Sequence, residues 1–227
     1  MQKLIIGNWK LHPATLKEAQ KLAVSLNKVK AKHKVVLCPP FVYLPAIKTK
    51  FDLGAQDLFW EESGAYTGQV SGSMLKQFKV KYVIVGHSEK RAAGDTDNEI
   101  NLKIKAALLN KLTPILCVGY GLTAAEGDEE VMEHLQQQIE SDLRGVDPAK
   151  VIIAYEPVWA IGSGHAEIPD HAERVAMFIR IKFKVKKVLY GGSTNPMNAK
   201  SFLDRHIDGL LVGGESIRAE DFAKMIS

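Results

Sequence analysis

A chain of 227 residues, 46% hydrophobic and 25% charged, can bury a sizeable core but is short for two full domains. Its 30 Lys and Arg against 26 Asp and Glu leave a net +4, which suits an anionic ligand. That excess falls well short of a nucleic-acid surface, and no basic stripe with interleaved aromatics occurs. Cys38 and Cys117, the two cysteines, lack metal-ligand or disulfide-framework spacing, and no apolar run approaches the ~20 residues of a membrane span, so a cytoplasmic setting is expected.

From the N-terminus, a β-branched run at 4–6 leads to Asn8 and Lys10. Residues 15–30 then place Leu16, Ala19, Ala23, Leu26 and Val29 on one helical face. Strand patterns follow at 35–37 and 51–55. Residues 56–72 hold glycines with Phe59, Trp60 and Tyr66 but no periodicity, a length that marks a functional loop. Beyond it, strand patterns at 82–85, 114–118, 151–154, 187–190 and 209–212 alternate with helical ones at 98–109, 129–143, 169–183 and 195–203. The Lys-rich stretch at 182–187 alternates with Phe183 and Val185, so it reads as a helix end running into a strand.

Such βα alternation means a parallel sheet with crossover helices. Eight strands in this length predict closure into a (β/α)8 barrel, one domain over residues 1–227, with an open doubly wound sheet as the competitor. A nucleotide-binding open sheet would carry a glycine fingerprint after its first strand; Gly7-Asn8-Trp9-Lys10 stands there instead.

In such barrels chemistry gathers at the C-terminal strand ends. Those ends carry Asn8 and Lys10, His87-Ser88-Glu89, Glu156-Pro157, Gly191-Gly192-Ser193 and Gly213-Gly214. Taken singly, a lysine is usually a solvated charge, a histidine a structural hydrogen-bonding group, and a glycine pair a turn. Glu156 is harder to dismiss, because a carboxylate directly after an apolar strand must be hydrated, paired or employed. The backbone N–H groups of Ser193, Gly213 and Gly214 could approach phosphate oxygens, the usual use of such turns after the seventh and eighth strands.

Together with Ala154-Tyr155-Glu156-Pro157-Val158-Trp159-Ala160-Ile161-Gly162, these segments resemble the triosephosphate isomerase family, in the right order across nearly the whole chain. The resemblance implies interconversion of dihydroxyacetone phosphate and D-glyceraldehyde 3-phosphate through an enediolate, a step of glycolysis and gluconeogenesis, with no metal or organic cofactor. By the same resemblance Glu156 is the base and a neutral His87 polarises the carbonyl. Lys10 supplies fixed positive charge, Asn8 a hydrogen bond to the substrate, and Glu89 a buried partner for Lys10. Residues 157–164 resemble the family's lid, with the N–H groups of Gly162 and Ser163 on the phosphate. The 56–72 loop resembles one that inserts into a second subunit, which implies a homodimer with Thr67 near the partner's site; a flap on its own barrel mouth is the alternative. Neither a nucleic acid nor a membrane is implied as a partner. His165-Ala166-Glu167, Tyr120 and Glu215 depart from the family pattern. The rival functions are another phosphate-ester barrel enzyme and a non-catalytic protein on this fold.

Overall fold

The β-branched runs pair in sequence order. In the computed structural model, which describes residues 2–160 and 167–227, the strands are β1 (Leu4–Asn8), β2 (Lys34–Cys38), β3 (Asp52–Ala55), β4 (Val80–Val85), β5 (Thr113–Val118), β6 (Ile152–Tyr155), β7 (Lys187–Tyr190) and β8 (Gly209–Val212). Each lies parallel to its neighbours, and β8 returns to β1, so the sheet closes and the open alternative is excluded. The crossovers carry α1 (Leu16–Asn27), α2 (Gly72–Gln77), α3 (Ser88–Ala92), α4 (Asp97–Leu109), α5 (Asp128–Asp142), α6 (Pro169–Phe183) and α7 (Ala199–Leu203), and α8 (Ala219–Ile226) ends the chain. Among the described residues no helix is long and apolar enough to cross a membrane.

Both faces of a parallel barrel strand are covered, which is why these strands read as unbroken apolar runs. Ile6, Ile84, Ile115 and Ala154 point inward with their like, while Ile5, Val83, Leu116 and Ile153 pack under the helices. The alternation carries past the strand ends. Asn8 follows Leu4 and Ile6 on the inner side, Glu156 follows Ile152 and Ala154, and Gly213 follows Leu211. Register alone thus brings polar groups from distant parts of the sequence to one mouth.

Local chemistry sets the helix limits. Thr15 caps α1 in a reciprocal box with Glu18, so it precedes the helix that was expected to include it. That helix also stops at Asn27, short of 30. α7 begins at Ala199 where the pattern predicts 195, because the Asn195 side chain accepts the N–H groups of Met197 and Asn198 while Asn198 Oδ1 accepts that of Asn195. Side chains that satisfy nearby backbone in this way compete with the helix. Lys184, at φ 56°, ends α6 and turns the chain into β7, so the Lys-rich stretch is the expected helix end and strand start. The 56–72 loop leaves the barrel with residues 61–69 exposed, and Phe59 packs on Tyr66 at a centroid distance of 4.8 Å.

Candidate active site

A cavity of about 260 Å³ opens at the C-terminal mouth, lined by Asn8, Lys10, His87, Glu156, Ser193, Gly213 and Gly214 among others. The structure therefore gathers the polar strand ends of β1, β4, β6, β7 and β8 around one space.

Glu156 is 2% exposed. Its N–H donates to the Val118 carbonyl at 2.7 Å, which extends the β5–β6 pairing by one residue. The Ser88 N–H donates to Oε2 at 3.0 Å, and His87 Nε2 lies 3.3 Å from Oε1. Room for this side chain depends on Gly191, where an added Cβ would stand 2.9 Å from Glu156 Cγ. Beneath it, burial and then the Glu156 charge push the Cys117 thiol well up, so it stays protonated.

His87 caps the N-terminus of α3, and its Nδ1 accepts the Glu89 N–H at 3.2 Å. An accepting Nδ1 carries no proton, so the neutral ring bears its hydrogen on Nε2, the nitrogen that faces Glu156. Helix start, tautomer and orientation follow from one hydrogen bond.

Lys10 adopts φ 52°, a left-handed conformation that costs a non-glycine residue about 1 kcal/mol. Neighbours hold it there. Its N–H donates to Asn8 Oδ1 at 3.1 Å, and Gln56 Nε2 donates to the carbonyls of Lys10 and Cys38, both at 2.9 Å. With Oδ1 occupied, Asn8 presents its amide hydrogens as the free end. Gln56 directly follows β3 and was read only as the start of a loop; the strand-end rule that found Asn8 would also have found it.

Lys10 Nζ pairs with Glu89 Oε1 at 2.7 Å, but the Glu89 side chain is 58% exposed, so the expectation of a buried partner is corrected. Glu89 lies beyond the rim on a short helix, where its carboxylate keeps contact with water. Partial burial pulls its carboxyl upward, but the hydrogen bond and charge of Lys10 outweigh that and hold it below the ordinary carboxylate range. The ion pair therefore survives moderate acid and is lost only as pH falls through that lowered value.

The glycine turns after β7 and β8 line the same cavity. Ser193 Oγ donates to the Ala160 carbonyl, tying the turn after β7 to the end of the described segment after β6. Gly213 has a use beyond backbone approach, since a Cβ there would stand 3.2 Å from Lys10 Cε. Its missing side chain makes room for the lysine stem. Glu215 also lines the cavity, with Oε1 3.7 Å from Arg218 Nη1. Gly162 and Ser163 lie outside the described residues. Thr67 is exposed on the 56–72 loop, away from the mouth cavity of its own chain.

Arg91, a buried residue of α3 that no sequence motif singles out, also braces this site. Its Nε donates to the Gly86 carbonyl at 2.9 Å, immediately before His87, while Nη2 meets Asp142 Oδ2 at 2.5 Å.

The triosephosphate isomerase family model matches residues 3–227. The triosephosphate isomerase of Thermoanaerobacter pseudethanolicus is 43% identical over 245 residues, covering 99% of this chain and 98% of the relative. That of Picosynechococcus is 42% identical, covering 100% and 99%, and that of Dehalococcoides mccartyi is 42% identical, covering 99% and 96%.

Proposed function

The chain belongs to the triosephosphate isomerase family, and on that premise we propose that it interconverts dihydroxyacetone phosphate and D-glyceraldehyde 3-phosphate with Glu156 as the base. The substrate phosphate sits toward Ser193, Gly213 and Gly214, and its carbonyl toward His87 and Asn8. The Glu156 carboxylate takes a proton from carbon 1, and the electron pair moves through the new C1–C2 double bond onto the carbonyl oxygen. His87 Nε2–H protonates that oxygen and recovers a proton from the hydroxyl of carbon 1. Glu156 then returns its proton to carbon 2, which leaves the aldehyde and regenerates both groups. Lys10 stabilises the developing negative charge, an electrostatic effect strengthened where water is excluded. Glu89 fixes the lysine head, and Gly162 and Ser163 add backbone donors to the phosphate. No metal or organic cofactor takes part in these steps.

One observation carries this reading: a buried carboxylate 3.3 Å from an imidazole whose Nε2 holds the proton, at the rim that bears the glycine turns. The purified protein, assayed with glyceraldehyde 3-phosphate and a coupling enzyme that consumes dihydroxyacetone phosphate, is expected to turn over without added cofactor. Absence of turnover sinks the proposal and favours another phosphate-ester barrel chemistry.

The assembly proposed with this activity is a homodimer joined through the 56–72 loop, with Thr67 reaching the second subunit's site. Exposed Tyr66, at 45%, packed at a tilt against Phe59, supports an interface, because such patches favour aromatics. Shortening the loop is expected to yield monomers in sedimentation velocity. Dimers that persist unchanged would place the interface elsewhere. Two free, buried cysteines suit a reducing compartment and support a cytoplasmic setting.

A further inference from the structure

Glu167 stands just before α6 and is only 4% exposed. A carboxylate so buried needs partners; two elements supply them, both on Oε1, and a third takes up the residue's backbone N–H. The Tyr155 hydroxyl at the end of β6 donates to Oε1 at 3.2 Å. His171 Nδ1 on α6 pairs with the same oxygen. The Glu167 N–H donates to the Tyr190 hydroxyl at the end of β7, also at 3.2 Å.

The two tyrosines are placed with consequence. Tyr155 immediately precedes Glu156, and Tyr190 immediately precedes the turn that holds Gly191 and Ser193. The two strand ends are also joined directly, since the Gly191 N–H donates to the Tyr155 carbonyl at 2.7 Å. A shift of either tyrosine therefore moves the base or the turn beside it. Burial pushes both hydroxyls above the ordinary phenol range, so they remain O–H groups throughout the working range of pH.

We propose that Glu167 is a positioning residue that clamps the ends of β6 and β7, and with them the base and the phosphate turn, and that acid loosens the β6 side of this clamp, where the carboxylate holds Tyr155 and His171. The proposal rests on the isomerase reading of Glu156. Among the described residues, the titratable and charged groups that bear on Glu167 are Tyr155 from β6, Tyr190 from β7, His171 and Arg174 from α6, and Asp128 from α5 behind His171. Asp128 Oδ1 lies 3.3 Å from His171 Nε2, and Arg174 Nε donates to Asp128 Oδ2 at 2.8 Å. Burial raises the Glu167 carboxyl, while His171 and the Tyr155 hydroxyl oppose that rise without cancelling it. As pH falls, the clamp therefore loses its charge earlier than an ordinary glutamate would. A protonated Glu167 binds His171 weakly, and the link to Tyr155 loses its ionic acceptor.

Glu167→Gln is a permanent mimic of the protonated state. The ratio of wild-type to Glu167→Gln kcat/KM cancels the titrations of Glu156, His87 and the substrate, which both proteins share. It is expected to be about five-fold or more near pH 8 and to decline toward one as pH falls into the acid range, since small misplacements of catalytic groups are costly. A ratio constant across that range, or close to one throughout, overturns the proposal. If Glu167→Gln does not fold, His171→Gln replaces it in the comparison, with kcat/KM expected to fall near pH 8 and the deficit against wild type to shrink as pH falls. A second readout does not depend on turnover. The ¹³C-carboxyl titration midpoint of Glu167 should rise in His171→Gln, because that change removes the main group opposing its upward shift; an unchanged midpoint refutes the pairing. A wild-type protein without isomerase turnover would instead overturn the functional reading, and the carboxyl titration would still decide the clamp.

Discussion

Glu156→Gln is expected to lower kcat by about three orders of magnitude, ~4 kcal/mol of barrier, while the barrel stays folded. The amide matches the carboxylate in shape, and its oxygen can still accept the Ser88 N–H that now holds Oε2 at 3.0 Å. It cannot accept a proton from carbon. Neutralising a carboxylate that is 2% exposed removes a desolvation cost, but the amide NH₂ then faces the His87 Nε2–H across 3.3 Å, donor against donor, so the two effects oppose and the melting temperature should change little. Affinity for the phosphate should survive, because Lys10, Ser193 and Gly213 are untouched. A loss confined to kcat assigns Glu156 to the transition state, whereas a loss confined to KM assigns it to ground-state binding. Retention of kcat within ten-fold of wild type would refute its role as base.

Glu156 was legible because two simple rules meet on it: chemistry gathers at strand ends, and side chains alternate along a strand. Asn8 and Gly213 follow from the same register, and all eight strands were found within a residue or two. The short helices α2, α3 and α8 were not, since five to eight residues leave little period to detect. The exposure of Glu89 was missed for a related reason. Closeness in sequence does not fix depth, and His87 is buried while Glu89, two residues on, faces water. The clamp at Glu167 and the brace at Arg91 lie deeper still. Arg91 acts through a carbonyl five residues back and a carboxylate 51 residues ahead, and no local pattern encodes a partner at that distance.

Arg91→Met is expected to cost about 3–5 kcal/mol of folding stability, because it leaves a buried charge without its counterion. Asp142 is 0% exposed, and burial pushes its carboxyl up to about 7 even with the Arg91 guanidinium beside it. Without that cation the carboxyl must rise further, and the chain folds only with Asp142 protonated. The sign of the pH dependence follows. The folded state binds a proton that the unfolded state releases near pH ~4, so this group's contribution falls as pH rises toward its folded value. In the variant that decline continues beyond neutrality, and the deficit against wild type should be larger at pH 8.5 than at pH 5.5 in urea denaturation. A deficit below about 1 kcal/mol, or one independent of pH, would show that the pair does not bear stability this way. The double variant Arg91→Met, Asp142→Leu should recover most of the loss, since an apolar pair needs no counterion. It should not recover full activity, because the Gly86 carbonyl still lacks the Nε–H that holds it at 2.9 Å, one residue before His87. Stability restored without turnover would separate the two tasks of Arg91, bracing the fold through Asp142 and aiming the imidazole through Gly86.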